Sequence, residues 1–178
     1  MSGHSKWSQI KHKKGVADQK KGQLFSKLSK VISMAARRGI DQVMNIELKN
    51  AVEKAREASM PKENIERAIK RVSDKNIAQL EELTIEAVGP ESLALIITAI
   101  TDNKNRTMGE VKNILIEFNY KIAQQGAAMW MFDRKGQEFI PKYPVENLSE
   151  DTKSNLEKLF EKLDENEDIQ EIFDNTSV

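Results

Sequence analysis

The side chains best suited to chemistry in this chain are cations and aromatic rings gathered in the first 40 residues. Ten lysines and arginines stand there against a single acid, Asp18. Lysines neutralise phosphates and release counterions, so the pattern predicts nucleic-acid binding that weakens as salt rises. Trp7 and His12 could stack on unpaired bases, although Trp7 could equally anchor the tail against a helical core. The candidate contacts are Lys6, Trp7, Lys11, His12, Lys13, Lys14, Lys20, Lys21, Lys27, Lys30, Arg37 and Arg38.

Lysine outnumbers arginine in this basic segment. Lysine binds phosphate as a point charge, whereas arginine can read a guanine through two parallel hydrogen bonds. The composition therefore favours contact with the phosphate backbone, and recognition of a shape or a site rather than of a DNA sequence.

A second group of polar residues occupies the run 101–107, with the sequence TDNKNRT, between an apolar run and a helical pattern. The free amides of a helix N-terminus attract anions, and Lys104 and Arg106 would stand beside them. The two cations are therefore a second candidate contact for phosphate or ribosomal RNA. The alternative is that the aspartate and asparagines of the run only shape the loop through side-chain turns.

The residues needed for catalysis are missing from the sequence. There are no cysteines, and the two histidines, His4 and His12, have no acidic partner at the spacing of a metal site. No phosphate-binding glycine loop, nucleophile elbow or zinc-protease motif is present. The carboxylates gathered in residues 150–174 resemble the solvated face of a helix. We therefore expect a protein that is not an enzyme and uses no metal, cofactor or small-molecule substrate.

The overall composition is that of an ordinary soluble protein, with 39% hydrophobic and 31% charged residues. No apolar run approaches the roughly 20 residues that span a membrane, and the N-terminus does not resemble a secretory signal. A cytoplasmic location is expected. The formal net charge of zero hides an asymmetry: residues 1–75 carry 18 basic and 8 acidic residues, and the remaining 103 carry 10 and 20. Such an imbalance indicates a polyanionic partner for the basic half.

Hydrophobic periodicity predicts an α+β fold in two parts. Residues 1–77 form a basic tail and an all-α domain of three helices. Residues 78–178 form an α+β domain with a mostly antiparallel sheet and helices on one face. In the first part the predicted helices cover about 16–38, 45–59 and a segment from Pro61. In the second part the predicted elements are strands at 83–88 and 93–100, a helix opened by a capping box at Thr107, a strand at 127–132, a connector at about 136–148 that could include a short edge strand at 138–140, a helix capped by Ser149, and a strand at 169–173.

Several motifs in the chain resemble those of the YebC/PmpR family of regulatory proteins, which is related to the mitochondrial translational activator of cytochrome oxidase subunit I. The motifs cover most of the chain in the family's order. They are residues 3–7 (GHSKW), 10–14 (IKHKK), 60–69 (MPKENIERAI), 89–90 (GP), 101–107 (TDNKNRT) and 130–136 (WMFDRKG).

The resemblance implies a helical first domain followed by α+β domains, and no enzymatic activity. Members are described as DNA-binding transcription regulators, whereas the mitochondrial relative and some bacterial ones resemble ribosome-associated translation factors. The basic tail and first helix would be the nucleic-acid surface.

The sequence departs from the family in three places. Members insert a third domain after the strand that matches Trp130–Phe132, where this chain has only the connector. The family's tyrosine- and glycine-rich stretch is here Ile85–Val88, and its paired glycines are replaced around Asn119 and Tyr120. A short form with two domains is therefore expected.

Together these observations predict a nucleic-acid-binding regulator of gene expression. DNA and ribosomal RNA both remain open as its target. A protein–protein adaptor whose basic half binds an acidic protein is the alternative from another class. The sequence does not define the target site, the oligomeric state or a regulatory signal.

Overall fold

A computed structural model describes residues 18–73 and 80–177, which separate into a helical unit and an α+β unit. The helical unit contains three α-helices, and the α+β unit contains two helices and six strands. The helices are α1 Asp18–Ala36, α2 Ile46–Glu57, α3 Lys62–Lys70, α4 Lys104–Glu117 and α5 Glu150–Asp164. The strands are β1 Glu81–Val88, β2 Ala94–Thr101, β3 Lys121–Ile122, β4 Phe132–Lys135, β5 Glu138–Pro141 and β6 Ile169–Asp174.

The helical unit confirms the three helices expected from apolar periodicity. Its core is formed by the apolar faces of the helices, including Ile32 of α1, Leu48 and Val52 of α2, and Ile65 of α3. Pro61 stands directly before α3. Proline lacks an amide hydrogen, but an amide at this position would have no partner within the helix, so no hydrogen bond is lost.

The α+β unit is built on a four-stranded sheet in the order β3-β1-β2-β6. β1 pairs with β3 and β2 pairs with β6, both antiparallel. After β6 the side chain of Asn175 accepts a hydrogen bond from the Ala94 amide at 2.7 Å and donates to the Ser92 carbonyl at 3.1 Å. The predicted α+β class is therefore confirmed.

β2 is buried on both faces of the sheet, as its nearly continuous apolar sequence indicates. One face packs against α4 and α5, with Leu95 and Ile97 in the same core as Leu115 and Leu159. The other face, which carries Ile96, packs against the hairpin of β4 and β5. The two long helices thus share one face, and the hairpin covers part of the other.

The predicted strand at 127–132 is wrong. Met129–Met131 form a 3₁₀ turn, and β4 begins only at Phe132. The strand β4 then pairs with β5 at Glu138–Pro141, which agrees with the short edge strand expected at 138–140 within the connector. The short strand β3 was not expected from the sequence.

A buried carboxylate explains why residues 126–129 do not join a sheet. Glu86 of β1 is 4% exposed and accepts hydrogen bonds from the amides of Gly126 at 2.5 Å, Ala128 at 2.7 Å and Met129 at 2.8 Å. Burial by itself would raise the pKa of Glu86, but the three amides together hold this pKa below its usual value. These backbone groups therefore bond to a side chain instead of to a neighbouring strand.

Tyr120 fixes the turn between β1 and β2. A β-carbon at Gly89 would stand 2.2 Å from the Tyr120 ring, so only glycine fits there. The helix α4 closes just before this tyrosine, where Asn119 adopts a φ of +63° and the Tyr120 amide donates to the Leu115 carbonyl at 2.8 Å. Asparagine tolerates this left-handed conformation, which explains how the chain ends α4 without the glycines of the family pattern.

Replacing Tyr120 with phenylalanine is expected to raise the free energy of unfolding by about 1 kcal/mol. The Tyr120 hydroxyl is buried without a hydrogen-bond partner among the described residues. Burial, reinforced by the carboxylates of Asp174 and Glu91, raises the tyrosine pKa, so the group remains a neutral hydroxyl whose desolvation is uncompensated. Urea denaturation of Tyr120→Phe measures the effect. Tyr143→Phe, at a side chain that is 64% exposed, is the control and should change nothing.

Candidate nucleic-acid interface

The described cations of α1 and its C-terminal end differ in their exposure. Lys20, Lys21, Arg37 and Arg38 are exposed, and Lys30 is half-buried. Lys27 is only 5% exposed, so it offers much less surface to a partner than the other described cations do. The remaining candidates, Lys6, Trp7, Lys11, His12, Lys13 and Lys14, lie outside the described residues.

Both arginines after α1 are anchored by hydrogen bonds although they remain exposed. Arg37 Nη1 donates to the Leu80 carbonyl at 2.6 Å, and the Arg38 guanidinium pairs with the carboxylate of Glu47. Each uses part of its guanidinium for these bonds and keeps other N–H groups for a ligand. The two cations are therefore held in place before any partner arrives.

The second candidate group differs from its prediction in where the helix starts. The sequence places the start of the helix at Thr107, but α4 begins at Lys104. The Thr101 hydroxyl accepts a hydrogen bond from the Asn103 amide at 2.9 Å, so the chain turns into the helix earlier. Thr107 lies inside the helix, and the capping-box interpretation is wrong.

Arg106 is engaged by a buried acid that the sequence analysis did not identify. Its guanidinium lies 2.8 Å from Oδ2 of Asp168, and the Thr107 hydroxyl donates to the same oxygen at 2.6 Å. The side chain of Asp168 is 6% exposed and that of Arg106 is 44% exposed. Arg106 therefore compensates a buried charge, whereas Lys104 lies exposed at the surface.

An exposed aromatic pair also lies beside cations in the α+β unit. Trp130 and Tyr143 are 57% and 64% exposed, and their ring centroids are 5.9 Å apart. Lys142 follows β5 and pairs with Asp133 at 3.3 Å, and Arg134 lies over the ring of Phe139. The sequence shows Trp130 only as part of a motif, because the partner ring is 13 residues further along the chain.

The described residues contain no group of three histidine, cysteine, aspartate or glutamate side chains that could hold a metal ion. Among the helices of the same part of the chain, none is long and apolar enough to cross a membrane.

Comparison with known protein families matches both halves of the chain. Residues 5–75 match the TACO1/YebC protein N-terminal domain, and residues 80–138 match the TACO1/YebC second and third domain. A solved structure, that of a conserved hypothetical protein from Aquifex aeolicus, is similar with a TM-score of 0.87. It is 27% identical, and the match covers 97% of each chain.

Longer bacterial proteins are also similar to the chain. A probable transcriptional regulatory protein of Petrotoga mobilis is 45% identical over 97% of this chain and 69% of its own length. A protein of the same name from Natranaerobius thermophilus is 47% identical over 85% of this chain and 61% of its own length. The chain thus spans about two thirds of the length of these relatives. These matches in both halves show that the chain belongs to the TACO1/YebC family.

Proposed function

We propose that the protein is a nucleic-acid-binding regulator of gene expression, and that its basic N-terminal half holds the phosphate backbone. The observation that carries the proposal is the exposure of cations at both ends of α1, with Lys20 and Lys21 near its start and Arg37 and Arg38 just after its end. A helix rises about 1.5 Å per residue, so these cations extend over about 27 Å. The sequence before α1 carries the further cations Lys11, Lys13 and Lys14, which we include in the proposed interface.

The first candidate target is duplex DNA. The relatives from Petrotoga mobilis and Natranaerobius thermophilus carry the name probable transcriptional regulatory protein. Exposed cations at both ends of one helix can contact separate phosphates of a duplex, and such contacts give binding that tolerates many sequences. A transcription regulator of this kind acts in the cytoplasm and performs no catalysis.

The second candidate target is ribosomal RNA, which would make the protein a translation factor. Lysine dominates the basic segment, which favours backbone contact over the reading of guanines. The exposed rings of Trp130 and Tyr143 beside Lys142 are of the kind on which unpaired bases stack. These two observations favour RNA, and the names of the relatives favour DNA.

Ultraviolet crosslinking in living cells, followed by sequencing of the recovered nucleic acid, tests the proposal. Discrete promoter fragments would identify a transcription regulator, and a few positions of ribosomal RNA would identify a translation factor. Recovery no greater than that of an uncrosslinked control would overturn the proposal. A protein partner that survives nuclease treatment of a native pull-down would then indicate the adaptor.

A further inference from the structure

The loop between α1 and α2 exposes an unusual amount of apolar surface. Within residues 39–46, here called the apolar loop, Ile40 is 64% exposed, Val43 85%, Met44 84% and Ile46 70%. Single exposed apolar side chains are ordinary, but a group of this size on a small unit marks an interaction site.

Hydrogen bonds to two polar side chains hold the apolar loop in this form. Asn45, itself buried, donates to the carbonyls of Ala35 at 2.8 Å and Gly39 at 2.7 Å, and its oxygen accepts from the Leu48 amide at 3.0 Å. Asp41 accepts from the Val43 amide at 2.8 Å. The side chains of Asn45 and Asp41 therefore fix the backbone of a loop whose apolar side chains face solvent.

The exposures also indicate the shape of the surface. Side chains that keep 64–85% of their area in solvent project from the protein, whereas side chains that line a groove lose most of theirs. The apolar side chains of the loop are therefore suited to enter a narrow space in a partner. A cavity of about 260 Å³ does lie beside the loop, but of the loop residues it is lined by Gln42 and not by these apolar side chains.

The net charge of the helical unit favours a polyanion. Arg37 and Arg38 directly precede the apolar loop and are exposed, and they stand beside two acids, Asp41 within the loop and Glu47, which pairs with Arg38. Residues 18–73 carry 13 lysines and arginines and 7 acids, which gives 13 − 7 = +6 for the described helical residues. A protein partner would need an apolar slot rimmed by acids, while duplex DNA already combines apolar base steps with a dense rim of phosphates.

We propose that the apolar loop is a wedge that inserts Val43 and Met44 into a base step of duplex DNA from the minor groove, while Arg37 and Arg38 hold the adjacent phosphates. This inference rests on the proposed function and deepens it. Aliphatic and methionine side chains act as wedges in proteins that unstack and kink DNA, and arginine forms strong charge-assisted hydrogen bonds with phosphate oxygens. The aliphatic character argues for insertion into a duplex rather than for a stacking platform, which would use aromatic rings.

The test uses the full chain with Val43→Ser and Met44→Ser combined. Duplex DNA carries a fluorescent base analogue in one strand and a donor–acceptor dye pair at its ends, and matched duplex RNA is the second probe. Wild type is expected to raise the analogue's fluorescence and to shorten the end-to-end distance. The double variant should lose both signals and bind about tenfold more weakly, with an unchanged dependence on salt.

Two controls separate the possible outcomes. Ile116→Ser changes an apolar residue of α4 that is 56% exposed and should behave as wild type, and circular dichroism checks that the variants fold. Wild-type binding to DNA without unstacking or bending, or equal signals from the double variant, overturns the wedge and leaves the proposed function intact. Unstacking of duplex RNA but not of duplex DNA also overturns the wedge. So does a wild-type protein that self-associates through the apolar loop and loses this self-association in the double variant. Binding to neither nucleic acid defeats the proposed function together with the wedge.

Discussion

Reversal of the charges at Lys11, Lys13 and Lys14 is expected to weaken binding to a short DNA duplex by a factor on the order of several hundred at about 0.1 M salt. Each cation that neutralises a phosphate on B-DNA contributes about 0.9 to the slope of log affinity against log salt. Three lost contacts therefore remove about 2.7 from the slope, and the new glutamates add repulsion. The fold should be unchanged, because these residues precede α1.

Titrations by fluorescence anisotropy at a series of salt concentrations measure both the affinity and the slope. The matched control reverses Lys153, Lys158 and Lys162, which are exposed on α5 in the acidic half. This control makes the same change in net charge but should leave the slope close to that of wild type. Unchanged affinity of the tail variant at low salt would remove the tail from the interface.

Replacing Glu86 with alanine is expected to lower the free energy of unfolding of the α+β unit by about 3 kcal/mol. The carboxylate accepts three hydrogen bonds from backbone amides, and the substitution leaves these donors without their acceptor in a largely buried site. Hydrogen bonds to a charged acceptor each contribute roughly 1.5–3 kcal/mol. The expected loss is smaller than the sum of the three bonds because water can partly solvate the freed amides. Glu82→Ala, at an exposed position of the same strand, is the control and should cost little.

The same carboxylate should make stability depend on pH. The pKa of Glu86 is lower in the folded protein than its ordinary value of 4.5. Its contribution is therefore fully present above about pH 5 and is lost as the pH falls through the folded-state pKa. Urea denaturation of wild type and Glu86→Gln between pH 3 and 7 tests this. The difference in stability between them should shrink toward the acid end, and a constant difference would contradict the account.

Local sequence pattern was sufficient to predict the helices that bury one face against adjacent elements of the chain. Each of the first three helices repeats apolar residues at helical spacing, and these repeats include Ile32, Leu48 and Ile65. The side chains of Asn45 and Ser149 cap α2 and α5, as their residue types suggest. These features depend on residues a few positions apart, so the sequence displays them directly.

The features that the sequence did not predict depend on side chains that bond to residues far away in the chain. The amides of Gly126, Ala128 and Met129 bond to Glu86, 40 or more residues away, and no local pattern shows this. Thr107 has the type and spacing of a helix cap, but its hydroxyl bonds to Asp168, 61 residues further on. Composition likewise located the excess of cations without showing that Lys27 is buried or that Arg106 pairs with Asp168.

The sequence does not indicate the exposure of the apolar loop, for a different reason. Isoleucine, valine and methionine are most often core residues, so Ile40, Val43, Met44 and Ile46 gave no sign of a surface role. Their exposure follows from how Asn45 and Asp41 fix the backbone between α1 and α2. A group of apolar side chains beside a helix stop, held by an asparagine and an aspartate, is a signal that can be sought in related sequences.

The pairing of β6 with β2 sets the order in which the two halves fold during synthesis. Contacts within the helical unit span shorter separations in the chain, such as the 35 residues between Ser33 and Ala68. The sheet instead needs residues 169–174 to pair with β2, and Asn175 to reach Ala94 across 81 residues. Domains fold as their residues leave the ribosome, and distant pairings are slow. The basic unit therefore completes its fold while the acidic unit is still being made, and throughout that interval the nascent chain carries an excess of positive charge.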